Sequence, residues 1–232
     1  MTDVKERPIL FSAPMVQAIF DGRKVMTRRV VKLRDKDLHD ASAYLNGGSA
    51  AVALGHGVGG IVEWREQDGQ WFGLSGYTTV ANIDCPYGQV GDRLWVRETF
   101  QPFFADGVDY CDVDWKTGKG YKIGYPATDG IGEFIDLDDN ISQACKPSIH
   151  MPRWACRIEL EVTGVRVERL QDISEADAIA EGIPERGTYP PESDPDDILR
   201  RDFQELWESI NGRESWTLNP WVWVISFRRV KQ

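Results

Sequence analysis

Alternation of apolar and polar residues in three separate segments constrains the fold of this chain more than any other feature of its sequence. Residues 93–97 read RLWVR, residues 158–169 read IELEVTGVRVER and residues 221–230 read WVWVISFRRV. A period of two places successive side chains on opposite faces of a β-strand. In the middle segment Thr163 and Gly164 predict a turn, so this segment is either a hairpin or one bent strand. The pattern therefore predicts a protein built largely from sheet.

Three helices are predicted among these strands. The first begins after Ser12, a suitable N-cap, and stops at Gly22. The second lies between Ser174 and Gly182, with an acidic residue three positions after the serine in a weak capping box. The third covers residues 198–210, where apolar residues recur at helical spacing. Alternating strands with three short helices predict an α+β fold, a small curved β-barrel with flanking helices and long inserted loops.

The length of 232 residues predicts a single domain, 1–232, that carries long insertions. The insertions are expected at about 35–84, 100–153 and 186–197. The first contains the run GHGVGG at 55–60, which has the spacing of a dinucleotide-binding GxGxxG motif. That motif needs a helix to follow its third glycine, whereas IVEWREQDGQW reads as a strand and a turn. We therefore interpret the run as a flexible loop.

Composition excludes several function classes. With 27 Lys and Arg against 37 Asp and Glu, the formal net charge is −10, which argues against a broad surface for nucleic-acid phosphates but not against a local basic patch. The four cysteines and three histidines lack metal-ligand spacing, so neither a metal nor a cofactor is expected. The sequence shows neither a signal peptide nor an 18-residue apolar run, which predicts a cytoplasmic protein without a membrane partner.

Positive charge is concentrated in residues 23–36 of this acidic chain. Within that segment Lys24 and Thr27 are three positions apart, close enough to face each other on one turn. A lysine that loses solvent beside other cations has a lowered pKa, and its neutral amine can take a proton from a hydroxyl group. A solvated basic loop is the alternative interpretation. Glu181 stands before the helix-ending Gly182, where the helix dipole disfavours a carboxylate.

Four segments together, in chain order, resemble the ASCH-domain superfamily of PUA-like proteins. Residues 21–29, DGRKVMTRR, are similar to its D-x-R-K-T-x-T-x-R segment, and residues 91–96, GDRLWV, to its G-D-x-L-x-V strand. Residues 174–182, SEADAIAEG, resemble its S/T-E-x-x-A-x-x-E helix, and residues 222–228 its closing V-I-x-F strand. Longer runs such as CPYGQVGDRLWVRETF look like the bacteriophage- and prophage-encoded branch. The matched segments cover under half of the chain.

The resemblance implies an amidohydrolase that acts on an N-acylated nucleoside such as N4-acetylcytidine. Its catalytic lysine, threonine and glutamate fall on Lys24, Thr27 and Glu181, and its neighbouring arginine falls on Arg29. The expected mechanism has Lys24 activate the threonine hydroxyl or a water, Glu181 protonate the departing amine, and Arg29 or a backbone N–H stabilise the oxyanion.

Further substrate contacts are expected from four side chains, of which the two aromatic ones are candidates to stack on a base: Arg23, Arg29, Tyr87 and Trp95. Two alternative functions stay open. One is a module that binds RNA or single-stranded nucleic acid through the basic segment, because PUA-like domains often bind RNA. The other is a phage protein that binds a modified nucleotide without turning it over. The oligomeric state also stays open.

Overall fold

The computed structural model describes residues 4–32, 63–67, 70–75, 78–105, 107–108, 113–135, 141–184 and 195–230. Its fold is mixed α+β, as the sequence predicts, and the chain forms two compact units. The first unit consists of Met1–Gly22, Asp92–Glu161 and Arg228–Gln232. The second unit consists of Arg23–Gly91 and Val162–Phe227.

The secondary structure alternates strands with short helices. In chain order the elements are β1 (Glu6–Leu10), α1 (Ala13–Phe20), β2 (Met26–Val30), β3 (Glu63–Gln67), β4 (Gln70–Ser75), β5 (Thr78–Asp84), β6 (Arg93–Arg97), β7 (Gln101–Phe104), β8 (Tyr121–Gly124), α2 (Pro126–Asp129), β9 (Phe134–Ile135), β10 (Ile141–Ser142), β11 (Glu159–Arg169), α3 (Glu175–Ala180), α4 (Pro195–Asn211) and β12 (Trp221–Arg229). Single 3₁₀ turns occur at Ser148–His150, Arg153–Ala155 and Leu170–Asp172.

The described strands form open sheets. The largest has the order β1-β6-β11-β12-β2, with β1 parallel to β6 and β2 antiparallel to β12. The smaller sheets are β3-β4-β5, β7-β8 and β9-β10. Since β1 and β2 are its outermost strands, the large sheet does not close on itself. The closed barrel that the sequence pattern predicts is therefore not seen in the part of the chain that the structure describes.

Of the two alternatives at Thr163 and Gly164, the structure shows the single strand and not the hairpin, because β11 runs without interruption from Glu159 to Arg169. The apolar residues change parity at this point: Leu160 and Val162 are buried before Gly164, and valines at odd positions follow it. A continuous strand therefore directs its even-numbered residues Leu160 and Val162 toward the core before Gly164. After Gly164 the even positions carry charged side chains on the face covered by helices.

The core of the second unit lies between the sheet and two helices. Helix α4 packs its predicted apolar face inward through Leu199, Phe203 and Trp207, whereas Ile210 in its last turn is half exposed. The sheet contributes alternate residues of β2 and β12, and α3 contributes Ala178. The buried members of this core are Met26, Leu170, Ile173, Ala178, Ile183, Leu199, Phe203, Trp207, Val222 and Val224.

The insertion at 100–153 packs into a small, separate core in the first unit. Phe100, Met151 and Ala155 are buried there, and partly buried aromatic residues, among them Trp115 and Trp154, pack against them. The GHGVGG run at 55–60 and most of the insertion at 186–197 lie outside the described residues. No helix in the described part of the chain is both long and apolar enough to cross a membrane.

Candidate functional site

Helix α3 carries Glu181 to the beginning of β2. The hydroxyl of Ser174 accepts a hydrogen bond from the Asp177 N–H at 3.2 Å, which caps the first turn as the sequence predicts. Glu181 is the C-cap residue, and Gly182 follows with φ +98°, a conformation that favours glycine. The Val25 N–H donates to the Ala180 carbonyl at 2.9 Å and ties the end of α3 to the segment that leads into β2.

Lys24 and Glu181, both singled out from the sequence, are in direct contact. The Lys24 Nζ donates to Glu181 Oε2 and to the Glu181 backbone oxygen, at 2.7 Å in each case. A cation is stabilising beside the last carbonyl groups of a helix, which offsets the unfavourable position of the carboxylate. The Glu181 carboxylate, which the helix dipole disfavours, is therefore matched by a lysine at the same helix end.

This pair is almost inaccessible to solvent. Lys24 is 1% exposed and Glu181 is 4% exposed. Burial lowers the pKa of the Lys24 amine, because the charged form loses its hydration; the Glu181 carboxylate opposes this, while the Arg29 and Arg28 guanidiniums add to it. An amine with a lowered pKa is easier to obtain in its neutral, proton-accepting form.

Arg28 is the side chain that the sequence analysis missed. It is 2% exposed, and its Nη1 lies 3.4 Å from Glu181 Oε1, while its Nη2 donates at 2.5 Å both to Glu168 Oε1 and to Asp177 Oδ2. The available signal was its parity: in β2, Arg28 shares a face with Met26, a core residue. A charged side chain on the core side of a strand must be paired. This position therefore predicts that carboxylates from the elements packed on that face contact Arg28.

Arg166 in β11 completes the charge balance. Its Nε donates to Glu168 Oε2 at 2.8 Å and its Nη2 to Asp177 Oδ2 at 2.5 Å. Three cations and three carboxylates are thus joined in one neutral set, called the ion cluster below. Its members are Lys24, Arg28, Arg166, Glu168, Asp177 and Glu181.

Thr27, the third residue of the expected catalytic set, lies on the other face of β2. It pairs with Ile225 of β12, whereas Arg28 pairs with the core residue Val224. Thr27 is 1% exposed. β2 is an outermost strand of its sheet, and α3 ends beside its first residues. Side chains from both faces of β2 therefore border this edge.

The face that carries Thr27 also borders a cavity of about 320 Å³. β11 is the neighbour of β12 in the large sheet: Gly164 lies against Ser226, and the Leu170 N–H donates to the Pro220 carbonyl. Val165 lines the cavity, as does Trp71, whose ring packs edge-on against Trp223 at 5.5 Å. The lining residues are Glu66, Trp71, Gly88, Gln89, Val90 and Val165. None of the expected catalytic residues is among them.

Two further expected substrate contacts lie near this face. Tyr87 immediately precedes the cavity residues Gly88 and Gln89. Burial raises the pKa of its phenol, and the nearby Arg29 guanidinium opposes that rise. Arg29 is half buried and lies two positions after Thr27 in β2, on the same face.

The remaining expected contacts are positioned differently. Arg23 is exposed, and its Nη1 donates to the Gly182 carbonyl at 2.9 Å. Trp95 belongs to β6 in the first unit, where the Arg97 and Arg153 guanidinium carbons lie 5.4 and 6.0 Å from its ring centroid. These cation–π contacts hold the ring within the sheet surface of that unit.

A second buried ion pair, in the first unit, provides a comparison for the ion cluster. Glu98 is 1% exposed and accepts from Arg157 Nε and Nη2, both at 2.9 Å. The Arg157 guanidinium also lies 3.8 Å from the centroid of the Tyr125 ring. Within the described ranges, no group of three or more His, Cys, Asp or Glu side chains is arranged to hold a metal ion.

Comparison of the chain with protein-family models, curated proteins and solved structures gave no match.

Proposed function

We propose that this protein hydrolyses the amide bond of an N-acylated nucleoside of the N4-acetylcytidine type. The observation that carries the proposal is the buried contact between the Lys24 amine and the Glu181 carboxylate at 2.7 Å. Amide hydrolysis needs a base for the nucleophile and an acid for the departing amine. A buried amine–carboxyl pair supplies both groups within one hydrogen bond.

The protonation state of the pair is central to the mechanism. Moving one proton from Lys24 to Glu181 converts the ion pair into a neutral amine and a neutral carboxylic acid. Burial lowers the pKa of the Lys24 amine and so favours release of its proton. In this form Lys24 is the base and Glu181 is the acid.

The reaction then balances with one water. Lys24 takes a proton from the nucleophile, which is the Thr27 hydroxyl or a water, and the nucleophile attacks the acyl carbonyl carbon. Glu181 gives its proton to the amine nitrogen as the C–N bond breaks. The products are the carboxylic acid and the free amine of the base; when Thr27 attacks, a water then releases the acyl group. Arg29, on the Thr27 face, stabilises the oxyanion.

Access to the pair is the main requirement that this mechanism adds. Lys24, Thr27 and Glu181 are each at most 4% exposed, so the edge of β2 must open for the acyl group to reach them. We place the substrate on the Thr27 face, because the cavity of about 320 Å³ borders that face and has the size of a small-molecule site.

Membership of the ASCH-type, PUA-like superfamily and a cytoplasmic location are part of the same proposal. The motif segments support it by where they lie: residues 21–29 lead into β2, residues 91–96 lead into β6, and residues 174–182 form α3 with both of its caps. The fold argument depends on these segments, whereas the activity depends on the Lys24–Glu181 contact.

The test is incubation of the pure protein with N4-acetylcytidine and related N-acylated nucleosides, read by mass spectrometry. We expect turnover by the wild type, loss of at least about a hundredfold in Glu181→Gln, and a clear loss in Thr27→Val if the hydroxyl is the nucleophile. The matched control is Glu98→Gln, which breaks the buried pair with Arg157 in the first unit. It is expected to lower stability and to leave turnover per folded molecule unchanged.

A second candidate function is supported by the closure of the site. A protein that binds the modified nucleoside without turnover would use the cavity beside Trp71, and its ion cluster would stay buried. It would bind N4-acetylcytidine, release no product, and lose binding in Val165→Trp, which fills the cavity. Full activity in Glu181→Gln, or absence of both binding and product in the wild type, would contradict the proposed hydrolysis.

A further inference from the structure

Glu181 is held on both oxygens by different cations. Its Oε2 accepts from Lys24 Nζ at 2.7 Å, and its Oε1 lies 3.4 Å from Arg28 Nη1. Arg28 is itself fixed, since its second terminal nitrogen bonds Glu168 and Asp177, each at 2.5 Å. The planar guanidinium joins three carboxylates in one arrangement, which a lysine ammonium cannot reproduce.

We infer that Arg28 is a positioning residue for the Lys24–Glu181 pair, and that Glu168 and Asp177 act by holding Arg28 in place. This inference rests on the proposed function, because it assigns Arg28 a role in orienting Glu181 and in favouring the neutral form of Lys24. Arg28 lies outside the residues that the resemblance marks as functional, and it occupies the core face of β2 between Lys24 and α4.

Orientation is the first part of this role. With Oε1 facing Arg28, the carboxyl group cannot rotate freely, so Oε2 stays directed at the Lys24 amine. Phe203 of α4 lies beneath the guanidinium, with its ring centroid 5.8 Å from the Arg28 central carbon. The Arg28 side chain is therefore confined by packing as well as by charge, which limits the positions that Glu181 can adopt.

Charge is the second part. Several charged groups surround Lys24: Arg23 beside it in the chain, Arg28 and Arg29 from β2, Asp177 and Glu181 from α3, and Arg166 and Glu168 from β11. The ion cluster is neutral as a whole. Without Arg28 its three carboxylates would face only Lys24 and Arg166, and the excess negative charge would hold the proton on Lys24. A proton held there removes the base.

The test measures Lys24 directly as well as the reaction. Side-chain NMR of lysine-labelled protein follows the titration of the Lys24 amine, whose signal is assigned by its absence in Lys24→Met. In Arg28→Met we expect the pKa of Lys24 to rise by about one pH unit or more, as for removal of a nearby cation. The acidic limb of the kcat/KM profile for N4-acetylcytidine should move to higher pH by the same amount, with about a tenfold loss near pH 7.

Two further variants separate positioning from a merely structural role. Arg28→Lys keeps the positive charge and loses the planar guanidinium, which can bond several carboxylates at once. The pKa of Lys24 should therefore return toward the wild-type value, while kcat stays reduced. Glu168→Gln removes one of the carboxylates that hold Arg28, so kcat should fall; it also removes a negative charge from the ion cluster, so the pKa of Lys24 should be lowered. The opposite sign is the decisive feature, because general loosening of the protein would not produce it.

Arg157→Met is the matched control, since it removes another arginine bonded to a buried glutamate, and it should move neither readout. An unchanged Lys24 titration in folded Arg28→Met and Glu168→Gln overturns the inference. If Arg28→Met does not fold, Glu168→Gln alone decides by its sign. If these variants shift the Lys24 titration but the wild type shows no turnover, the coupling of Arg28 to Lys24 is supported and the hydrolysis itself is rejected.

Discussion

Lys24 shows how burial changes the chemistry of a single side chain. Its amine is removed from water at the end of α3, where the Glu181 backbone and carboxylate oxygens take its hydrogen bonds. These contacts stabilise the protonated form, and desolvation outweighs them, so the pKa of Lys24 is lowered. The same balance that makes the amine a possible base must also appear in the stability of the protein.

The pH dependence of folding tests that balance. In the unfolded chain Lys24 keeps its proton up to a pH of about 10.4, whereas the folded protein releases it at lower pH. Between those two values the unfolded state binds more protons, so the free energy of unfolding rises with pH. We expect wild type to gain stability relative to Lys24→Met as pH increases from about 7 to about 10, measured by urea unfolding.

Lys32→Met, at an exposed lysine, serves as the control for loss of a lysine in general. A wild-type advantage over Lys24→Met that stays constant over this pH range would show that the amine is not desolvated in solution.

Part of this site could be predicted from the sequence. Lys24 and Glu181 were found because each breaks a local expectation, a cation run in an acidic chain and a carboxylate at a helix end. Arg28 was passed over because its signal, the face of β2 that it shares with Met26, can be read only once the bounds of β2 are known. The position of Thr27 relative to Lys24 follows from where β2 begins, at Met26, which spacing alone does not define.

At the level of elements, caps and amphipathic faces were predictable and strand connectivity was not. Ser12, Gly22, Ser174 and Gly182 all stand where the sequence places them, because caps depend on local backbone chemistry. For β11 the sequence leaves a hairpin and one bent strand open, because its apolar residues change parity at Gly164. The charged even positions after that glycine face carboxylates and arginines brought from elsewhere in the chain, which no local pattern encodes.

The two serine caps give a matched pair for measuring how α3 supports the site. Ser174 accepts a hydrogen bond from the Asp177 N–H, whereas Ser12 is the N-cap of α1 without a side-chain hydrogen bond. Ser174→Ala should therefore cost about 1 kcal/mol in the free energy of unfolding, and Ser12→Ala only a few tenths of that. Chemical denaturation measures both, and equal costs would show that the α3 cap contributes nothing specific.

Charge distribution is the whole-molecule property that bears most on the choice between functions. The chain carries a net charge of −10, and the basic run from residue 23 is its main concentration of positive charge. In the described part of that run Lys24 and Arg28 are buried in the ion cluster. Arg23 and Lys32 are exposed and Arg29 is half buried. The run therefore presents fewer cations to a phosphate chain than its sequence indicates.

The number of accessible cations predicts how nucleic-acid binding depends on salt. With about three phosphate contacts, from the accessible cations of the described residues 23–32, the slope of log K against log salt for single-stranded RNA is about −2, so affinity falls roughly tenfold between about 50 and 150 mM salt. We expect little binding at the higher value, measured by fluorescence anisotropy with a labelled oligonucleotide. Turnover of a neutral nucleoside should hardly change over the same range, because no counterions are released when it binds. A slope steeper than about −4 that flattens in Lys32→Glu would instead favour the nucleic-acid-binding alternative, since the cations responsible would then act as one phosphate-tracking surface despite the acidic charge of the whole protein.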